Sequence, residues 1–253
     1  MKFGRKPRKH DKRVPLMSAL TAGQVLSLPP VAVNYTTGIP ANLGMMLNDQ
    51  LNDCCCAAVG HALEVWSFNA AGQMLTDPNN DVQAVYERSC GYTAGNAATD
   101  QGCILQDVLG YWVKQGVPTP SGTNKLAAFV EIDPDDGEAI RRAIDDCGCV
   151  IIGFNVPYYL ATYLTNAGAL WDYWPKANNS IVGGHAVILA GYRGKIFTAI
   201  SWGALYSVSW RFLTHFMDEC YALADASFLK STGNTPSGLT LAQLEAAMQG
   251  LKQ

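Results

Sequence analysis

The sequence predicts an α+β protein of two lobes, helices first and an antiparallel sheet second. Three observations carry this. Apolar residues recur at helical spacing early in the chain, through Ala57, Ala58, His61, Ala62, Val65 and Trp66 and again at Val82, Val85 and Tyr86. From residue 149 they come instead as short continuous runs, at 149–154, 185–192, 196–202 and 219–224. Segregated helices and strands favour α+β over an alternating parallel sheet. With 253 residues, 49% of them hydrophobic, the chain can bury a sizeable core as one large domain or two lobes.

Residues 1–47 read as a basic, Pro-rich extended arm. Seven of the 18 lysines and arginines fall in residues 1–13, against one acid, Asp11. The remainder carries 11 basic and 20 acidic side chains, so a basic arm precedes an acidic body. Pro15, Pro29, Pro30 and Pro40 suit a wrapping segment over 14–47. An isolated tail of this composition is disordered, so an ordered arm needs something to hold it. A protein or nucleic-acid partner in a large assembly is the first expectation, and folding back on the acidic body the second. The arm lacks the apolar region of a secretory signal. No run is long and apolar enough to span a membrane.

Residues 48–148 read as a helical lobe. Asp53 is the expected N-cap of a helix over 53–70. A second helix starts after Asp77-Pro78. A third runs over about 103–115, stopped by Gly116 and Pro118. A fourth opens with Asp133-Pro134 and ends at Gly148. Residues 149–230 read as an antiparallel β lobe: a buried strand at 149–154, a short helix in 157–165, a hairpin around Arg193-Gly194-Lys195 and a late strand at 219–224. Residues 231–253 read as a polar linker and a final amphipathic helix. Thr240 and Gln243 fit a capping box, and Leu241, Leu244, Ala247, Met248 and Leu251 form an apolar stripe for the body or a partner.

The chemistry concentrates at Cys54, Cys55 and Cys56, directly after Asp53. A thiol at a helix start meets the positive end of the dipole and unpaired N–H groups, which favour the thiolate. Gln50 is a donor for an oxyanion. A cysteine nucleophile needs a base, and there are four histidines. His10 sits in the arm. His61 lies two turns after Cys54, about 10 Å along the axis, out of reach. His215 has no pattern around it. His185 remains, behind Gly183 and Gly184, which let another segment approach closely.

These residues resemble the papain-like cysteine peptidases over about residues 45–225. The likeness rests on Gln50, a cysteine opening the first long helix, Gly184-His-Ala-Val187, Gly191-Tyr192 and Ile200-Ser-Trp-Gly203, where such enzymes carry Asn-Ser-Trp-Gly. More narrowly, Asn48-Asp-Gln-x-x-Asp53-Cys54 with the later Asp218-Glu-Cys-Tyr-Ala-Leu223 resembles uncharacterised papain-like proteins of tailed bacteriophages. The resemblance implies a papain-like two-lobe fold and a Cys–His pair cutting peptides or other amides. The phage likeness adds a place in the virion or host cytoplasm. It also implies docking on other virion proteins through residues 1–40 and the C-terminal helix.

Two departures from the pattern matter. Papain-like enzymes place the glutamine six residues before the cysteine, which selects Cys56. The N-cap argument and the phage-type motif select Cys54, which is preferred. Ile200 replaces the asparagine that orients the histidine. A two-residue Arg193-Gly194 turn would set His185 opposite Trp202. A three-residue loop would pair Val187 with Ser201 and bring the Ser201 hydroxyl to the histidine.

Two functions from different classes follow. One is a cysteine peptidase or amide hydrolase; a transglutaminase or deamidase would use the same pair. The other is a catalytically inactive papain-like domain building a phage head, neck or tail, since a fold can keep an enzyme's shape without its activity. Nucleic-acid binding through the arm is opposed by the acidic body. Without a signal, reduced thiols are expected, with Cys90, Cys103, Cys147, Cys149 and Cys220 as buried small side chains. The cysteine spacings lack the pairs of a zinc site, and the sequence calls for no cofactor.

Overall fold

A computed structural model describes residues 2–23, 26–226 and 228. The predicted polar linker and final helix at 231–253 lie outside the described residues. Its first long element is α2 (Cys54–Ala71), preceded by a one-turn α1 (Met17–Leu20) and a short strand β1 (Ala32–Asn34). Every residue of α2 from Cys54 to Trp66 is buried. Apart from the paired His61 and Glu64, that stretch is apolar or small on all sides, the pattern of a helix enclosed by its neighbours. Gly72, at φ 71°, ends it, and its N–H donates to the Phe68 carbonyl at 2.7 Å.

Helices α3 (Asn79–Cys90) and α4 (Leu105–Lys114) follow where the proline and glycine signals put them. Helix α5 (Gly137–Cys147) starts later than expected. Asp136, not Asp133, caps it, accepting from the N–H groups of Glu138 (3.2 Å) and Ala139 (2.9 Å). Asp133 instead accepts from the Asp135 N–H at 3.0 Å and makes a turn around Pro134.

The helical lobe is not purely helical. A hairpin of β2 (Val117–Thr119) and β3 (Gly122–Asn124) and the strand β4 (Ala128–Ile132) fall inside 48–148. All five residues of β4 are buried, so no alternation marks it in the sequence. The remaining elements are β5 (Val150–Pro157), α6 (Tyr158–Tyr163), β6 (Leu170–Trp171), β7 (Ile181–Arg193), β8 (Ile196–Ser201), β9 (Ala204–Ser209), α7 (Trp210–Phe216) and β10 (Met217–Ala224). They build one sheet of order β4-β10-β5-β7-β8-β9-β6, with β1 on the far end of β7. All its pairings are antiparallel except β6 on β9. Helix α2 packs on β7, which puts the helix start against the middle strand of the sheet.

Two expectations are corrected. The acidic body itself holds the basic arm: Lys2 pairs with Asp100 (3.7 Å), Arg5 with Glu219 (2.7 Å), Lys9 with Asp107 (2.7 Å), and Arg8 with Glu131. Cys90 and Cys103 are not free thiols but a disulfide, because the end of α3 and the strand-like turn before α4 bring their Cα atoms to 5.3 Å. Cys147, Cys149 and Cys220 are buried free thiols, as expected.

Candidate active site

Two elements make the site, the first turn of α2 and the middle of β7. Asp53 stands at the N-cap position, but its side chain does not cap. Its carboxyl takes the Asn48 amide at 3.2 Å instead. Burial pushes that carboxyl well above the carboxylate range, and the adjacent Cys54 adds to the push. The Asp53 carbonyl accepts from Cys56 (2.7 Å) and Ala57 (3.0 Å). The N–H groups of Cys54 and Cys55 precede these bonds, the position at which a helix leaves donors without intrahelical partners.

The three cysteines have three different surroundings. Burial raises the Cys54 thiol, but a hydrogen bond from Cys55, the His185 imidazole and the Ala186 N–H outweigh it and hold the thiol well below the usual thiol range. Cys55 is raised well above that range by burial and by donating to Cys54. Cys56 is raised too, chiefly by burial and then by Asp53. It points at the disulfide, with its sulfur 3.9 Å from that of Cys103. The sulfurs of Cys56, Cys90 and Cys103 lie within 4.8 Å of one another. Two of them are joined, so only Cys56 is a thiol there. Helix geometry separates successive side chains by about 100°, which places Cys54 and Cys56 on different sides.

His185 is fully buried. Its Nε2 lies 2.7 Å from Ser201 Oγ. Its Nδ1 is buried with no formed hydrogen bond, and is the nitrogen left for the Cys54 thiol. The hairpin explains why serine reaches it. The β7–β8 turn holds two residues, Gly194 and Lys195, with Arg193 opposite Ile196. A bulge between Leu189 and Gly191 then shifts the register by one, giving Ile188 opposite Ile200. Continued one step, Val187 faces Ser201, so Ser201 and His185 share a face of adjacent strands. Ile200, at the place of the resemblance's asparagine, is buried on the other face of β8.

Aromatic rings fix the imidazole. Trp202 stacks on it at 4.5 Å and 18°, and Phe154 meets it edge-on at 5.7 Å. Trp202 and Gly203 form the β8–β9 turn with φ of 47° and 68°. A two-residue turn of this hand asks for positive φ at both places, which is unfavourable for tryptophan by about 1 kcal/mol. The stack on His185 is what that strained backbone positions.

Two residues that the sequence did not single out complete the site. Phe3 of the arm meets the His185 ring at 5.8 Å and 89° and Trp202 at 5.8 Å and 74°. Gly4 bridges to Gly184, and its carbonyl accepts from the Cys103 N–H at 2.8 Å. A Cβ at Gly4 would collide with the Asn52 carbonyl. The arm therefore runs between the start of α2 and the Gly-Gly segment of β7. Nothing in a run of lysines and arginines marks this. Gln50 is exposed, His61 is buried against Glu64 at 2.8 Å, and exposed His215 stacks on Tyr173 at 3.6 Å. None of these three is brought to the Cys54–His185 pair by a described contact.

No known protein-family profile matches the sequence, and no curated protein sequence does. Solved structures do match. Xylellain, a cysteine protease from Xylella fastidiosa, is 15% identical, over 88% of this chain and 96% of its own, with a TM-score of 0.63. A proCathepsin B from Trypanosoma congolense is 11% identical over 88% and 86%, at 0.61. The digestive procathepsin L 3 of Tenebrio molitor larval midgut is 14% identical over 88% and 75%, at 0.58. At these identities the likeness is one of fold. Helices followed by a large antiparallel sheet, with a buried cysteine opening the long helix and a histidine on the central strand, give this chain the fold of the papain-like cysteine proteases.

Proposed function

We propose that this chain is a papain-like cysteine peptidase or related amide hydrolase, with Cys54 as nucleophile, His185 as base and Ser201 as positioning residue. The observation that carries the reading is a buried Cys54 thiol drawn toward the thiolate beside an imidazole whose other nitrogen is tied to Ser201 at 2.7 Å. Cys54 Sγ attacks the carbonyl carbon of an amide, and His185 holds the thiol's proton. The N–H of Cys54 at the helix start faces the charge on the carbonyl oxygen. Collapse breaks the C–N bond, His185 gives its proton to the leaving amine, and a thioester remains. Water, deprotonated by His185, then releases the acid and restores the thiol. Ser201 replaces an amide in fixing the ring, a weaker but sufficient orienter, because members of such sets contribute unequally. Cys56, tucked against the disulfide with a raised pKa, is the lesser candidate for nucleophile.

A second reading is favoured by one observation, the arm lying across His185. In it the papain-like domain works closed, without turnover, as a structural piece of a phage virion. Labelling with an epoxide or vinyl-sulfone cysteine probe separates the two readings, applied to the parent and to Phe3→Ala, which uncovers the ring. The enzyme reading expects labelling that Cys54→Ala abolishes, His185→Ala strongly slows and Cys56→Ala spares. Absence of Cys54 labelling in both chains, or labelling indifferent to His185, sinks it and leaves the closed domain.

A further inference from the structure

Three sulfurs meet where the start of α2, the end of α3 and the segment before α4 come together. Those of Cys56, Cys90 and Cys103 all lie within 4.8 Å of one another. Cys90 and Cys103 are bonded, and the Cys56 thiol stands 3.9 Å from Cys103 Sγ, in contact with it. Thiol–disulfide exchange starts from a thiol held against one sulfur of a disulfide. The chemistry assigned to Cys54 and His185 leaves this cluster unused.

The two bonded sulfurs are not equivalent. Cys103 is buried, whereas Cys90 is half-buried at the end of α3. Attack on Cys103 expels Cys90, whose charge meets solvent and the Ser89 hydroxyl, 3.2 Å from its sulfur. Attack on Cys90 would expel a thiolate into the core, which burial disfavours. Ser89 also faces the entering side. Burial and then Asp53 raise the Cys56 thiol, and a hydrogen bond with the Ser89 hydroxyl opposes them. One hydroxyl thus touches the entering and the leaving sulfur.

We infer that Cys56, Cys90 and Cys103 form a thiol–disulfide exchange site, in which Cys56 takes Cys103 from Cys90 and turns Cys90 into a modifiable thiol. The Cys56–Cys103 bond forms as the Cys90–Cys103 bond breaks. The electron pair of the broken bond goes to Cys90 Sγ, and the proton lost by Cys56 ends there. No oxidant or reductant is consumed. The freed Cys90 is open to a disulfide of the glutathione class, which would leave a mixed disulfide on Cys90 and release one small thiol. Cys103 also holds the arm: its N–H donates to the Gly4 carbonyl at 2.8 Å, and its carbonyl accepts from the Lys6 N–H at 2.7 Å. Exchange therefore moves the covalent anchor of that segment from α3 to the first turn of α2, two residues from Cys54.

The test is native alkylation of the full chain by iodoacetamide at pH 8 without reductant. Remaining thiols are then blocked with N-ethylmaleimide in denaturant, and the bonds are mapped by trypsin and mass spectrometry. No lysine or arginine lies between Arg13 and Arg88 or between Arg88 and Lys114. Cys90 and Cys103 therefore share the peptide 89–114, and an exchanged bond ties that peptide to 14–88. The expected product carries iodoacetamide on Cys90 and a bond from Cys56 to Cys103. Cys90 should label at least about tenfold faster in the parent than in Cys56→Ala, because contact gives the thiol a high effective concentration. A Cys90–Cys103 bond that persists, a new bond at Cys54 or Cys55 instead, or Cys90 labelling as fast in Cys56→Ala overturns the inference. So does Cys90 labelling that only keeps pace with buried Cys147 and Cys220, which marks exchange in the unfolded chain. If Cys56→Ala does not fold, Cys90→Ser decides. Given oxidised glutathione, it should close the Cys56–Cys103 bond and join 14–88 to 89–114, and two unlinked thiols would overturn the inference. None of these readouts needs turnover at Cys54.

Discussion

Phe3→Ala should raise the rate at which Cys54 is alkylated by about 30-fold. Cys54 is 1% exposed and His185 0%, so a reagent reaches the thiol only when the arm lifts. The Phe3 ring is one of the contacts that resist lifting, resting edge-on against His185 and Trp202. Truncating a fully buried phenylalanine costs about 3–5 kcal/mol. Phe3 is half-buried, so its share is about 2 kcal/mol. Taken off the free energy of opening, at about 1.4 kcal/mol per tenfold, this gives the predicted factor. The assay is pseudo-first-order alkylation by iodoacetamide at pH 7, followed site by site by mass spectrometry. Cys147, Cys149 and Cys220 are buried elsewhere and serve as internal controls for global unfolding. An unchanged Cys54 rate, or equal acceleration at all four cysteines, would refute the idea that the arm gates the thiol.

Three further outcomes are expected. In the Phe3→Ala chain, Cys54 alkylation should vary less between pH 8 and pH 6 than that of an ordinary thiol, because its folded pKa lies below the usual thiol range and the thiolate persists as pH falls; His185→Ala leaves only Cys55 and the Ala186 N–H to oppose burial, so the thiol is raised and its rate should fall more steeply with pH over the same window. Ser201→Ala removes the 2.7 Å contact to Nε2 and should slow epoxide labelling by about 5- to 30-fold while shifting that pH profile upward, worth about 1–2 kcal/mol; a uniform loss with an unmoved profile would mark Ser201 as structural only. Burial, then Asp81 and Glu64, push the Asp77 carboxyl up to about 7, so the folded chain holds a proton that the unfolded chain releases between about pH 4 and 7, and stability falls as pH rises through that window. Asp77→Asn should therefore stabilise by about 2–3 kcal/mol at pH 8 and by nothing at pH 4, measured by urea unfolding; an equal gain at both would count against it.

What the sequence makes legible depends on how local the governing physics is. The helix at 53–70, its first cysteine and the histidine strand follow from neighbouring residues. Ser201 was reachable because register is a counting argument, although the answer came through a two-residue turn and a bulge near Ala190 rather than through the three-residue loop considered. Asp53 stands at the expected place with another job, since its buried carboxyl bonds sideways to Asn48 and leaves the helix start open. Long-range partners were illegible. Arg5 and Glu219 are 214 residues apart, and one arginine among seven basic residues carries no mark of the groove it enters. The Cys90–Cys103 bond depends on where α3 ends, and β4 on a sheet edge supplied by β10.

The pairing of Arg5 with residues of β10 bears on the order of folding. The arm precedes β10 in the chain, so the partners of Arg5 are incomplete until that last described strand has been made and laid between β4 and β5. Contacts of such high sequence separation form late, after the loop entropy of nearly the whole chain has been spent. The arm is thus made before β10 and placed after it. The cleft between helix α2 and strand β7 is assembled empty and closed afterwards, giving each newly made chain an interval in which its groove stands open.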